Sequence, residues 1–561
     1  MKLNKLDFFS FFLILIISLF FVIELFLFPG LPVAFDNNTH ITDIAQFSKI
    51  IGEKEIPVIW MNSISNYGLP MGIVAQQTTN YLGGLITIFT NNPTVTYNVL
   101  VFIAILLSNI FLYLFLRFYS SPLASFLGIF IYNFTPYRIF NIYIRGAMPE
   151  VFSGIFLPLI LIALYLLIVK KKIYALFMLI LFTAGLTLTH PMMLIVYSFL
   201  FIPYLIFLMI ISDFSKVSKI KIFITSIFAV ALGVIICGYY ILPLNLEIKY
   251  FYYGLTKNHL IDSYYLQVSS FFDTRWYYFT KNEIFPRGHL VLFGLTELVI
   301  LILGLLYILK KIFIQKSKEN TKILSFALIV AALIIFFTTK YSNVFFQKIS
   351  LLNSIQFPWR FLSVLIFIPP IIAAFLYDRF PQKIIIILVM LTVAYFSFPQ
   401  LYGKNFAIYP AQSYYFSKEN PYSVQMNTIW TGKSEDYPNK DKQGEIIEGQ
   451  GKIVKQTLKN SSRIYQIDAK TPLKMVDRTF YFPGWNIYID GKRTNIEFQN
   501  PSYRGVITYN VPAGNHSVSV IFEDTKIRLL GKILSVMSLS LFIILFLLRQ
   551  RVSRLLNIFQ T

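Results

Sequence analysis

The chain has 561 residues, of which 56% are hydrophobic and 14% charged, and its mean hydropathy is +0.63. A soluble globular domain is about a quarter charged, so this composition excludes an ordinary soluble enzyme and calls for lipid as part of the solvent. The net charge of +22, from 49 basic and 27 acidic residues, does not point to nucleic acid. Much of the excess falls in short loops between apolar runs, where membrane topology puts it.

Cys237 is the one cysteine and lies in an apolar run, so no intramolecular disulfide forms and no C-x-x-C metal cluster exists. Residues 8–28 are too long for a signal-peptide core and lack a small-residue cleavage site, and read as a retained first span. A helix crossing about 30 Å of hydrocarbon needs about 20 apolar residues. Candidate spans in chain order are 8–28, 95–116, 121–140, 150–169, 173–189, 191–211, 222–245, 290–309, 323–338, 360–377, 384–400 and 527–548, about twelve in all.

Basic residues in short loops orient the spans. With the N-terminus inside, the inner connections hold Arg117, Lys170-Lys171-Lys172, Lys216, Lys219, Lys221, Lys310, Lys311, Lys316, Lys318, Lys322, Arg379 and Lys383, and the tail holds Arg549, Arg551 and Arg554. Both termini are then cytoplasmic, and segments 29–94, 246–289, 339–359 and 401–526 face outward. Loop 246–289 breaks the charge rule with Lys249, Lys257, Arg275, Lys281 and Arg287, and reads as functional. Segment 401–526 alternates polar and apolar residues at Ser462-Arg-Ile-Tyr-Gln-Ile-Asp468 and Ser517-Val-Ser-Val-Ile-Phe522, with tight turns fitting at Asp490-Gly491 and Ala513-Gly514. It predicts a small antiparallel β-sandwich. The organisation expected is a transmembrane module over 1–400, a β-rich domain over 401–526, and a last helix with a basic tail over 527–561. Abundant Ile, Lys and Asn suit an AT-rich bacterial genome.

Ionisable residues recur at the outer ends of the spans. Asp36, His40 and Asp43 follow span one at i, i+4 and i+7 and share a face if helical. A carboxylate there can deprotonate an acceptor hydroxyl, with a second polar group orienting it or helping bind a cation. On spacing alone an interfacial helix cap is the simpler reading. Trp60 and Tyr67 suit the headgroup level. Arg138, Arg145 and Glu150 lie at the next outer level, either as a phosphate site or as an ion pair tying two span ends. His190 sits at a tight turn between spans, Glu247 ends span seven, and Gln356-Phe-Pro-Trp359-Arg360 opens span ten. Glu297, two turns inside span eight, must pair or face a cavity. Charges gathered at the surface and not at the midplane favour surface chemistry over a solute pathway.

The order of these motifs is familiar: Asp after span one, Trp60-x6-Tyr67-Gly-x-Pro, Arg145-Gly-Ala-x-x-Glu150, Leu-Thr-His190, Leu-Pro-x-x-x-Glu247, Gln356-Phe-Pro-Trp-Arg360 and Phe-Pro-Gly-Trp485. Over nearly the whole chain it resembles the bacterial YfhO-like membrane proteins and the related group labelled "6-pyruvoyl-tetrahydropterin synthase-related", a label that implies no pterin chemistry here. Those families look like members of the GT-C glycosyltransferase superfamily. The resemblance implies a polyprenyl-phosphate-linked sugar as donor and an extracytoplasmic envelope glycan, lipid or polymer as acceptor. It implies Asp36 as catalytic residue, with Asp43 as second candidate. It implies a lipid-phosphate site from Arg145 and Arg360, then Arg138, with His40, Glu150, His190, Glu247, Gln356 and Trp359 beside them. Loop 246–289 is then a substrate-binding loop, and the sandwich helps bind the acceptor or caps the site. An Asp-Asp or Asp-Glu doublet, found after span one in some GT-C enzymes, is missing, which leaves a divalent metal at Asp36, His40 and Asp43 open.

Two other readings stand beside this one. A lipid or polysaccharide transporter, such as a flippase, is supported by Glu297. A non-catalytic envelope assembly factor needs only the β-domain.

Overall fold

A computed structural model of the protein describes residues 3–255, 264–272, 293–315, 321–380, 383–401, 405–419, 421–422 and 424–551. The expectations placed on Lys257, Arg275, Lys281, Arg287, Lys316, Lys318 and Arg554 lie outside the described residues.

The helices that carry the argument are α1 (Lys5–Leu27), α2 (Asn37–Gly52), α3 (Gln77–Thr90), α4 (Pro93–Leu116), α5 (Pro122–Phe134), α6 (Met148–Ile168), α7 (Tyr174–Thr189), α8 (Pro191–Ile211), α9 (Lys216–Ile236), α10 (Gly238–Glu247), α11 (Leu295–Leu309), α12 (Lys322–Thr338), α13 (Pro358–Tyr377), α14 (Lys383–Ser397) and α15 (Lys526–Leu547). Each expected apolar window holds helix. Among the described residues, seven helices are long and apolar enough to cross a membrane: α1, α4, α6, α8, α9, α13 and α15. Two departures from the expected windows have local reasons. Pro136 forces Thr135 into an extended conformation (φ −64°, ψ 127°) and ends α5 at Phe134. Window 222–245 is two helices, α9 and α10, separated at Cys237. Proline opens α4, α5, α8 and α13, where its missing N–H costs no hydrogen bond.

The first helix is fastened to the bundle by its one buried acid. Asp7 accepts from Tyr113 Oη at 2.7 Å and Arg117 Nε at 2.6 Å, both on or just beyond α4, and closes a capping box with Asn4.

Eight strands form the sandwich: β3 (Gly444–Glu448), β4 (Gly451–Leu458), β5 (Ser462–Ala469), β6 (Leu473–Phe480), β7 (Trp485–Ile489), β8 (Lys492–Thr494), β9 (Val506–Val511) and β10 (Gly514–Phe522). They pair antiparallel in a five-stranded sheet, β4-β5-β10-β7-β8, and a three-stranded sheet, β3-β6-β9. Asp490 (φ 49°) and Gly491 (φ 80°) both take the left-handed region, which suits the two-residue β7–β8 hairpin. The turn at Ala513-Gly514 does not make a hairpin: β9 and β10 belong to different sheets, so it crosses between layers. Strand β5 alternates as expected, but it turns Arg463 inward and leaves Ile464 exposed. Arg463 lies over the Trp485 ring at 4.4 Å and donates to Asn62 Oδ1 at 2.5 Å.

That contact is part of a larger junction. Trp60 and Tyr67, expected at the headgroup level, are buried in the sandwich core. Trp60 meets Trp485 edge-on at 5.1 Å, and the Tyr67 hydroxyl accepts from Arg478 at 2.8 Å. The Trp485 face and the inward strand positions form an apolar socket for these rings, and that burial outweighs an interfacial position. A strap, residues 405–419, 421–422 and 424–431, leads to the sandwich: β2 (Phe406–Ala407) pairs with β1 (Leu31–Pro32), and Gln46 Nε2 of α2 donates to the carbonyls of Tyr414 and Tyr415. The segment after α2 thus packs into the sandwich, through Glu55, Trp60, Asn62 and Tyr67, while the strap lies beside α2 itself.

Candidate functional site

The N-terminal end of α2 is set by its neighbours on both sides. The amides of Phe35 and Asp36 donate to the carbonyls of Ile144 (3.2 Å) and Arg145 (2.8 Å). This close approach needs Gly146: its φ is +66°, and a Cβ there would lie 2.9 Å from Cβ of Asn37. A π-turn over Phe140–Ile144 precedes Arg145, and Pro149 places Glu150 in the first turn of α6. π-turns of this kind recur at functional sites. Here the turn aims Arg145 and Glu150 at each other.

Glu150 is the hub. Its side chain is 1% exposed, and Oε2 lies 2.5 Å from Arg145 Nη1 and 3.1 Å from Arg360 Nε. Oε1 accepts from Ser363 Oγ (2.7 Å), Tyr137 Oη (2.8 Å) and Asn141 Nδ2 (3.1 Å). A carboxylate this fully satisfied is a poor base and a rigid anchor. Arg360 also donates to the Ile355 carbonyl (2.6 Å) and to Gln356 Oε1 (3.2 Å). Gln356, at φ 68°, donates in turn to Tyr253 Oη at 2.6 Å. The Arg145 guanidinium lies 5.1 Å from the Trp359 ring.

Asp36 differs. It caps α2 without a side-chain cap bond, and its side chain is 43% exposed. Arg145 Nε stands 3.6 Å away, at the long end of ion pairing. Arg145 therefore bridges the sealed Glu150 and the accessible Asp36. His40, one turn further along α2, lies within electrostatic reach of Asp36 and Arg145; burial holds its imidazole down at about 4, with Arg145 adding to this and Asp36 opposing it. His190, at the break between α7 and α8, lies within reach of Arg360, Glu150, Arg145 and His40.

Asp36, Arg145, Gln356 and Arg360 line one end of a cavity of about 870 Å³. Leu194 and Ile195 of α8, Val234 of α9, Ile241 and Leu244 of α10, and Leu351 give it an apolar wall, and Thr187, Asn245, Ser350, Asn353 and Ser354 also line it. Gln425 and Met426 of the strap reach the same space. The cavity thus joins the Asp36, Arg145 and Arg360 side chains to a mostly apolar wall.

Three sequence candidates lie elsewhere. Arg138 is buried over the Tyr132 ring at 4.0 Å and donates to Ser108 Oγ at 2.9 Å. Asp43 does not share the exposed position of Asp36. It is buried, accepts a short hydrogen bond from Tyr422 and another from Asn80 at 3.4 Å, and burial raises its carboxyl to about 7. Because Asp36 is the cap and not a helical residue, the expected i, i+7 alignment does not bring the two together. Glu247 pairs with Arg528 of α15 at 2.9 Å and accepts from Thr525 Oγ1 at 2.6 Å, both ion-pair side chains being sealed. Among the described residues no three His, Cys, Asp or Glu side chains group to hold a metal ion, so Asp36, His40 and Asp43 do not fit one. Ser363, Tyr137 and Asn141, which hold Glu150, went unread in the sequence. Only Asn141, four residues before Arg145, carried a spacing signal.

Fold and site together define a helical membrane protein with a C-terminal antiparallel sheet domain and a polar cluster that opens on a cavity with a mostly apolar wall. The chain belongs to the membrane-protein family described as "6-pyruvoyl-tetrahydropterin synthase related domain; membrane protein", whose model matches residues 79–403. The match takes in Arg138, Arg145, Glu150, His190, Glu247, Gln356, Trp359 and Arg360, and leaves Asp36, His40, Asp43 and the sandwich outside it. No curated protein matches the chain.

Proposed function

We propose that the protein is a membrane glycosyltransferase of GT-C type, moving a sugar from a polyprenyl-phosphate donor to a glycan, lipid or polymer of the bacterial envelope. On this reading about twelve helices span the cytoplasmic membrane, both termini are cytoplasmic, and the sandwich lies outside. The observation that carries it is the accessible carboxylate of Asp36, 3.6 Å from Arg145, at the head of a cavity whose walls suit an isoprenoid chain. The donor phosphate sits against Arg145 and Arg360, with its tail along α8 and α10. The acceptor hydroxyl attacks the anomeric carbon from the opposite face and passes its proton to Asp36. The bond from the anomeric carbon to the phosphate oxygen breaks, and the electron pair leaves with polyprenyl phosphate, with inversion at carbon. Phosphate is a good leaving group and needs little acid assistance. The two guanidiniums stabilise its growing charge, and Glu150 holds them in place. Asp43 serves structure on this reading. No step requires a metal.

The test is release of polyprenyl phosphate from a panel of radiolabelled polyprenyl-phosphate sugars by purified wild type and Asp36→Asn. A transport reading has one specific support: Glu297 of α11 is buried, takes a bond from Thr296 Oγ1 at 2.8 Å, and leaves Oε1 without a partner. Lipid movement in liposomes without any sugar donor distinguishes it.

A further inference from the structure

A separate groove of about 340 Å³ runs between α11, α13 and α5. On α11 it takes Leu303 and Leu306, with Lys310 just beyond the helix end, and on α13 it takes Ala373, Leu376 and Tyr377. Each set is spaced by three and four residues, so each lies along one helix face. Leu127 of α5 gives a third wall. Tyr307 packs the two helices together at this level, its ring meeting Phe375 at 6.0 Å and Phe380 at 5.7 Å, both edge-on. Leu303 and Leu306 are 45% and 54% exposed, so the α11 side of the groove is open to the bilayer. The position along the bundle follows from α13. Arg360 stands at the start of that helix and Tyr377 at its end, about 25 Å apart at about 1.5 Å per residue. The Lys310 end of the groove therefore lies at the membrane face opposite the Asp36–Arg360 site.

Positive charge gathers at that end. Lys310 lines the groove, and Lys311 lies 5.4 Å from the Tyr307 ring. The Arg379 guanidinium is fixed 3.4 Å from the Phe375 ring and donates to the Phe375 carbonyl at 3.1 Å. The acid at this level, Asp378, accepts from the amide and the hydroxyl of Ser121 at 2.8 and 2.5 Å, which engages it at the start of α5. Among the described residues no carboxylate lines the groove. An acyl chain entering from the bilayer exchanges one apolar surrounding for another, so the apolar walls by themselves select little. The cations at one end select the headgroup, because each basic residue at the membrane surface favours an anionic lipid.

We propose that this groove is a binding site for an anionic phospholipid, one acyl chain lying between α11 and α13 and the phosphate against Lys310. It shares no lining residue with the cavity of Asp36 and Arg145, so the proposal stands apart from sugar transfer and is tested without a donor. The probe is phosphatidylglycerol with a photoactivatable diazirine on one acyl chain, in phosphatidylcholine nanodiscs around the full-length protein. Photolabelling mapped by mass spectrometry should fall on the groove residues of α11 and α13. Unlabelled phosphatidylglycerol should compete, and added phosphatidylcholine should not. Lys310→Ala should weaken retention of phosphatidylglycerol about fivefold, the share of one lysine beside an anionic headgroup, and Lys310→Arg should stay within about twofold of wild type. Leu303→Trp fills the groove and should remove the labelling of Leu376 and Tyr377 while leaving the unfolding temperature unchanged. Equal competition by phosphatidylcholine, labelling spread evenly over the lipid-facing helices, or wild-type retention by Lys310→Ala would overturn the proposal and leave only the ordinary lipid annulus.

Discussion

Arg360 reaches Glu150 across 210 positions of chain, its Nε 3.1 Å from Oε2. The contact joins the start of α13 to the start of α6, and with Arg145 it makes Glu150 the centre of a sealed triad. Removing one partner of a buried ion pair leaves the other uncompensated and costs about 3–5 kcal/mol. Glu150→Gln should therefore lower the thermal unfolding temperature in detergent by many degrees and remove any donor-phosphate binding. A Glu150→Gln protein as stable as wild type would show that the guanidiniums need no counter-charge.

The Arg145–Glu150 pair was legible in the sequence because only four residues, Gly-Ala-Met-Pro, separate them. The ordering of apolar windows and the strand alternation after residue 444 were legible for the same reason, since both are local. The rest depended on distant chain. Arg138, level with Arg145 by position, turns inward because Ser108 and Tyr132 offer it partners. Glu247 looked like a site carboxylate, yet Arg528 on the last helix takes it. Trp60 looked interfacial until the sandwich supplied Trp485 as a partner.

Glu247 and Arg528 tie α10 to α15, and Arg528 also donates to the Pro483 carbonyl of the sandwich at 2.7 Å. Glu247→Gln should destabilise the protein by about 3–5 kcal/mol without changing the affinity of the Arg145–Arg360 site for farnesyl phosphate in the protein that remains folded. Unfolding temperature and calorimetric affinity check the two halves separately.

Trp60→Ala removes the ring that fills the socket beside Trp485. A buried Trp or Phe truncated to Ala costs about 3–5 kcal/mol. Because the ring belongs to the junction of the segment after α2 and the sandwich, limited proteolysis should cut faster between residues 405 and 443 in the variant. Unchanged cleavage would show that the two pack independently.

Asp43 gives a pH signature. Its folded carboxyl is raised from 3.8 to about 7, chiefly by burial. Between these values the folded protein keeps a proton that the unfolded chain has lost. The contribution of Asp43 to stability is thus full below about pH 4, declines as pH rises, and levels off above about 7. Asp43→Asn should flatten unfolding temperature against pH across that window and make the protein more stable than wild type at pH 8. An unchanged slope would assign the dependence to other groups.

The central claim is that Asp36 takes the proton from the acceptor. Purified wild type and Asp36→Asn, matched for unfolding temperature, are supplied with radiolabelled polyprenyl-phosphate sugars in detergent, with and without divalent metal, and released polyprenyl phosphate is counted. The account predicts turnover of at least one donor by wild type and a loss of at least about a hundredfold in Asp36→Asn, the scale of a lost general base. Equal turnover by the two proteins, or no turnover of any donor by folded wild type, would contradict it.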